Sequence, residues 1–198
     1  MRTPFIAISL CWLVQSSVAE SGTAGTCGRV FHADFESGGE IRMEVRSGDV
    51  DIVGAASSAI KVSCELKRSD RAKDVKISFK AAGKSGDLRI SGGPNNDVKI
   101  RIEVPKNSNL YVRVPAGDLD VSGVSGDKDV ELHAGDLTIS VGDANDYKHA
   151  DAAVKAGDLN AAAFGVTKGG LFRSFQKDNP AGKYRLHANL GAGDLTLK

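Results

Sequence analysis

Histidine and aspartate stand two residues apart at His32-Ala33-Asp34 and again at His149-Ala150-Asp151. On a strand, residues i and i+2 share a face, so each imidazole–carboxylate pair could point at one metal ion or one proton. Two ligands make no metal site without others. The chain has no His-Glu-x-x-His and no paired-cysteine metal motif, so both pairs read as surface histidines beside turn aspartates. Calcium is the stronger metal candidate. Gly117-Asp118, Gly126-Asp127 and Gly135-Asp136 follow one another at nine-residue steps, and stacking them would line up Asp118, Asp127 and Asp136 as hard oxygen donors. Against this, the Gly-Gly-x-Gly-x-Asp pattern of calcium-binding β-rolls is missing, and aspartate in a tight turn ordinarily bonds nearby backbone. Asp118, Asp120, Asp127 and Asp129 are dense enough to line a polysaccharide-cleaving groove, yet they alternate with apolar residues and read more simply as the wet face of strands. No Gly-x-Ser-x-Gly elbow, phosphate-cradling loop or Ser-x-x-Lys stands in a suitable context. The expectation is a non-enzyme with no catalytic residue, no cofactor and no metal.

The elements that carry these aspartates come from a recurring phrase. It reads SGDVDIVG from Ser47, SGDLRISG from Ser85, AGDLDVSG from Ala116, AGDLTISVG from Ala134, AGDLNAAAFG from Ala156 and AGDLTLK from Ala192, with a degenerate copy, SGDKDVEL, from Ser125. Each copy is a tight turn feeding a short strand, because glycine reaches positive φ without steric cost and aspartate bonds its own backbone. The apolar–polar–apolar triplet then puts Leu119 and Val121, or Leu137 and Ile139, on one face. From Ala116 onward the glycine recurs at steps of 9, 9, 22 and 36 residues, which fits a rung of about 18 to 22 residues, suited to a small solenoid coil. Layered rungs would bury Leu119, Val121, Val130, Leu132, Leu137, Ile139 and Leu159 as a ladder.

Elsewhere the chain also reads as strand. Ile41, Met43 and Val45 alternate with Arg42 and Glu44; Val98, Ile100, Ile102 and Val104 alternate with Lys99, Arg101 and Glu103; Leu110, Val112 and Val114 alternate with Tyr111 and Arg113. Ala150 to Lys155 is the one stretch with real helix propensity, too short to stand alone. The basic residues Lys61, Lys67, Arg68, Arg71, Lys73, Lys76, Lys80 and Lys84 form a solvated face that guards edges and could meet an anionic polysaccharide. The segment from Gly169 to Pro180 interrupts the short rungs as a loop. Its Phe172 and Phe175 either form a contact surface or plug the end of the core.

Residues 1–19 read as a secretory signal: Arg2 precedes a ten-residue apolar run from Phe5 to Val14, too short to span a bilayer, and Ser17-Val18-Ala19 places cleavage before Glu20. Residues 20–198 then form one domain. Of 26 basic and 25 acidic residues, only Arg2 falls in the leader, so the mature chain is evenly balanced. That balance argues against nucleic acid or a broad anionic-membrane footprint, and no further long apolar segment provides a membrane span. Cys27 and Cys64 are the two cysteines left after cleavage. In an oxidising compartment an even pair reads as a disulfide, with Cys64 on the apolar side of its strand.

Three stretches resemble the bacterial putative adhesin domain family: GGEIRMEVRSGDVDIVG from Gly38 to Gly54, the serial GDL phrases, and GKYRLHANLGAGDLTL from Gly182 to Leu197. The resemblance covers roughly Phe31 to Lys198. It implies an exported, β-helix-like domain of unknown function and brings no catalytic residue set. The sequence therefore leads to an all-β fold, a single-stranded right-handed β-helix or β-solenoid of short stacked strands. The expected role is an exported cell-envelope protein, periplasmic or secreted, that presents its β surface to a protein or glycan. The alternatives are a polysaccharide-binding or -cleaving β-helix protein, and an envelope-stress or signalling component acting by strand-edge pairing.

Overall fold

The computed structural model describes residues 21–67, 69–94 and 97–198; the leader expected over 1–19 and the basic residue Arg68 lie outside these. The described chain is all-β, and its helical turns are three short 3-10 segments. The alternating patterns form two nine-stranded sheets packed face to face. Sheet I runs, edge to edge, β1 (Ser21–Thr26), β6 (Val75–Ala82), β7 (Ser85–Gly92), β3 (Glu40–Val45), β9 (Asn109–Ala116), β11 (Lys128–Ala134), β17 (Tyr184–Ala192), β13 (Tyr147–Ala156), β16 (Leu171–Asp178). Sheet II runs, from the same end, β2 (Phe31–Asp34), β5 (Ala59–Leu66), β8 (Val98–Pro105), β4 (Asp49–Ala55), β10 (Leu119–Ser122), β12 (Leu137–Ile139), β18 (Leu195–Leu197), β14 (Leu159–Ala161), β15 (Val166–Lys168).

The middle strands of both sheets pair in parallel and the outermost ones antiparallel, so each sheet is mixed and open. Five rungs pass from sheet I to sheet II through a Gly-Asp corner: β3–β4, β9–β10, β11–β12, β17–β18 and β13–β14. Their stacking order departs from chain order. The last strand pair, β17–β18, slots between β11–β12 and β13–β14, while β7–β8 lies outside β3–β4. The expectation of one right-handed strand winding coil after coil therefore gives way to two open mixed sheets. The last strand is interior too: β18 is flanked by β12 and β14.

Rung spacing follows from backbone pairing at about 4.8 Å between strands, and the core follows from the alternation. One buried row in sheet II is Ile100, Val50, Leu119, Leu137, Leu195 and Leu159; the next is Ile102, Ile52, Val121, Ile139 and Leu197. Facing them from sheet I are Met43, Val112, Val130, Ala188 and Ala152, with Val114, Leu132, Leu190 and Val154 beside them. Toward β13 the inward residues shrink to Ala150, Ala152 and Ala188. The room is taken by Tyr147, Phe164 and Phe175, whose rings pack 6.0 and 5.4 Å apart.

One helix-prone stretch and one expected loop both turn out as strand. Ala150 to Lys155 lies within the ten-residue strand β13, because pairing on both sides outweighs a weak helix propensity. The Gly169–Pro180 segment is largely strand β16, antiparallel to β13. At the opposite end Cys27, just after β1, is joined to Cys64 in β5 with α-carbons 5.3 Å apart, so the disulfide ties the edge of sheet I to sheet II.

Candidate functional site

The recurring phrase builds two columns of corners, one at each rim of the stack. On the first, Gly48, Gly117, Gly135, Gly193 and Gly157 all hold φ between +119 and +134. The aspartates that follow form a ladder: the N–H of Asp136 donates to Asp118 Oδ1 (3.1 Å), that of Asp194 to Asp136 Oδ1 (3.0 Å) and that of Asp158 to Asp194 Oδ1 (3.0 Å). Gly126-Asp127 lies on the second column, where Asp127 N–H donates to Asn109 Oδ1 (2.9 Å) and Asp127 Oδ1 accepts from the N–H of Arg185 (2.8 Å). A nine-residue step is thus half a rung, so Asp127 does not stack with Asp118 and Asp136. The phrase at Ser85 makes no corner at all, since Gly86 and Asp87 lie inside β7.

The candidate groove carboxylates are dispersed. Asp118 and Asp127 sit at opposite corners, Asp120 on the outer side of sheet II and Asp129 on the outer side of sheet I. The basic cluster divides as well: Lys61 faces Glu103 at 4.0 Å on sheet II, Lys67 pairs with Asp97, Arg71 pairs with Asp74 at 3.3 Å, and Lys76 and Lys80 lie on β6 of sheet I. His32 and Asp34 sit on the edge strand β2, 4.0 Å apart and exposed.

His149 and Asp151 do share a face, and the fold adds two groups that their spacing could not announce. His187 Nδ1 reaches Asp151 Oδ2 at 2.6 Å, His149 Nε2 lies 3.3 Å from Asp151 Oδ1, and His149 Nδ1 bonds Asp178 Oδ1 at 2.6 Å. The hydrogen bond to Asp178 raises the His149 pKa and lowers that of Asp178. Among the described residues no group of three or more such side chains could hold a metal ion.

Next to this cluster lies a broad polar surface, the outer face of sheet I. Strand register sets its order. One row across the sheet is Lys80, Asp87, Arg42, Tyr111, Asp129, His187, Asp151 and Gln176; the next is Ser78, Arg89, Glu44, Arg113, Glu131 and Asn189. Opposite charges alternate along both rows. Arg89 pairs with Glu44 at 2.7 Å, and Arg113 with Asp129 at 2.8 Å and Glu131 at 3.1 Å. Tyr111 lies among them, with the guanidiniums of Arg113 and Arg42 3.6 and 5.6 Å from its ring centroid. Two adjoining clefts open here, of ≈ 460 and ≈ 490 Å³, sharing Glu44 and Arg89. The first reaches Lys80 and Tyr111, the second His133. Tyr111 and Arg113 were legible only as the polar half of a strand; what gathers their partners is register.

One polar residue faces the other way. In the buried row Ile41, Leu110, Lys128, Leu186, Ala150, a lysine stands at a core position, 2% exposed. Its Nζ donates to Gly126 O (3.1 Å) and to Tyr147 Oη (2.8 Å), and Tyr147 Oη donates to Val141 O (3.1 Å). Burial lowers the Lys128 pKa to about 8 and raises that of Tyr147.

No family model and no curated protein matches the chain. One solved structure shares its fold. It is that of a putative cell adhesion protein from Clostridium sporogenes, aligned over 86% of this chain and 99% of that one with a TM-score of 0.51. The two sequences are 15% identical, so the likeness concerns the fold. Among the described residues no helix is long and apolar enough to cross a membrane.

Proposed function

We propose that this chain is an exported, non-enzymatic protein of the cell envelope, an adhesin-like domain that presents the outer face of sheet I to a protein or glycan. The observation that carries the reading is the surface itself: a wide face of alternating charge with a tyrosine set among arginines and two adjoining clefts. Such a face offers many directional hydrogen-bond and charge contacts at a polar interface. The stacked rungs beneath hold it rigid, as a solenoid-like scaffold holds an extended binding surface. The expected leader and the Cys27–Cys64 disulfide support a periplasmic or secreted location. The fold shared with a putative cell adhesion protein agrees with adhesion as the concrete version. The dispersal of Asp118, Asp120, Asp127 and Asp129 over separate surfaces supports a binding role over a cleaving one.

A glycan array and an envelope pull-down test this with wild type, Tyr111→Ala and Arg113→Ala. Capture that falls about tenfold in both variants, as loss of a central aromatic or arginine contact produces, supports the reading. Undiminished capture, or turnover of any polysaccharide, overturns it.

A further inference from the structure

We propose that the corner joining β15 to β16, where Leu171 and Phe172 project among Lys155, Lys168 and Arg173, docks on the surface of an anionic phospholipid bilayer. Phe172 is 80% exposed and Leu171 64%, more than any other large apolar side chain among the described residues. The backbone of Phe172 has φ +54. That left-handed conformation disfavours any residue with a β-carbon, and a phenylalanine has no short polar side chain to offset it. The fold gains no burial in exchange, because the end of the core is already plugged by Phe175 against Phe164.

Charge names the occupant. Val154 pairs with Arg173 and Ala156 with Leu171, so Lys155 lies across from Phe172. Lys168 ends β15, and its Nζ donates to Ser174 O at 2.7 Å; Arg173 Nε donates to Gly169 O at 2.5 Å. These bonds fix the corner and leave the charges unneutralised: no ion pair involves Lys155, Lys168 or Arg173 among the described residues. Asp158 lies beside Gly169. Lys155, Lys168 and Arg173 thus set three cations without an ion pair around two bare apolar side chains. Apolar side chains that enter the headgroup boundary, ringed by cations, fit an anionic bilayer. An added β-strand fits less well, because Lys168 occupies a carbonyl of the edge strand.

The test is co-sedimentation of the full chain with vesicles of phosphatidylglycerol and phosphatidylcholine, against phosphatidylcholine alone. Phe172→Gly removes the side chain and suits the φ of the site, so it keeps or raises the melting temperature. Wild type is expected to bind the anionic vesicles at low salt. Phe172→Gly should bind them about tenfold more weakly, as loss of one buried aromatic predicts, and Lys155→Glu should weaken binding too. The apolar run at 5–14 is common to all variants and meets both vesicle types, so the differences between variants and between vesicle types are what count. Equal binding to both vesicle types, or Phe172→Gly binding like wild type, overturns the proposal. So does a wild-type dimer that Phe172→Gly converts to monomer, since the corner would then be a contact between copies.

Discussion

Gly135 lies against Gly117 so closely that a β-carbon on it would come 2.0 Å from the Gly117 carbonyl oxygen. The same holds along the column: Gly117 on Gly48 at 2.1 Å, Gly193 on Gly135 at 2.0 Å and Gly157 on Gly193 at 1.9 Å. Glycine is required at these corners by the neighbouring rung as well as by positive φ. Gly135→Ala should therefore cost about 3 kcal/mol or more, through strain and forced backbone movement. Gly142 has φ +72 but open space around it, so Gly142→Ala should cost only about 1 kcal/mol. Urea unfolding of the two variants measures the gap.

The aspartate ladder separates two roles of one side chain. Asp136→Ala removes the acceptor for the N–H of Asp194 and should destabilise by about 1 kcal/mol. Asp136→Asn keeps an oxygen acceptor and removes a negative charge from a column of them, so it should be neutral or stabilising. A denaturation midpoint for Asp136→Asn as low as that for Asp136→Ala would show that the charge itself is needed.

Lys128 makes stability depend on pH. Its pKa is about 8 in the fold against an ordinary 10.5. Between those values the unfolded chain binds a proton that the folded chain lacks, so stability rises with pH. Tyr147, with its pKa raised, holds its proton in the fold after the unfolded chain has lost one, so its contribution falls above about pH 10. The interval from about 8 to 10 isolates the lysine. Lys128→Met should abolish the rise there and stabilise the protein at pH 7 by on the order of 1–3 kcal/mol, the range for replacing buried charge with apolar volume. Thermal unfolding at stepped pH checks both.

The disulfide closes a separation of 37 residues and ties the two sheets at one end. Loop-closure entropy puts its contribution at roughly 4 kcal/mol. The Cys27→Ala, Cys64→Ala double variant should lose about that much, and an unchanged midpoint under strong reductant would argue against the bond in solution.

How much of this was legible follows from what each residue pattern encodes. The period-2 alternation in β3, β8 and β9 placed the core side chains of those strands correctly, because a strand with one wet face has only one way to bury the other. The leader-plus-cysteine arithmetic singled out Cys27 and Cys64. The Gly-Asp phrase marked six corners, five on one rim and Gly126 on the other, and misled at Ser85, where the same letters open a strand whose pairing with β3 and β6 satisfies the backbone without a corner. Ala150 to Lys155, too short to stand alone as a helix, is strand for a similar reason: β16 and β17 pair with it on both sides.

The sequence by itself determined that the chain is all-β, which residues of its alternating strands face inward, and most of the places where it turns a corner, since these follow from local sterics and side-chain period. Only the tertiary structure decided the slot each rung takes. Any two parallel rungs satisfy the same hydrogen bonds and bury similar rows, so spacing cannot say that β17–β18 lies between β11–β12 and β13–β14. That choice brings His187 to Asp151, and strand register across the sheet brings Arg42 to Tyr111, whose other guanidinium, Arg113, stands two residues on along the same strand. It also splits the two phenylalanines of β16: Phe175 closes the core, and Phe172 is left standing at the last edge.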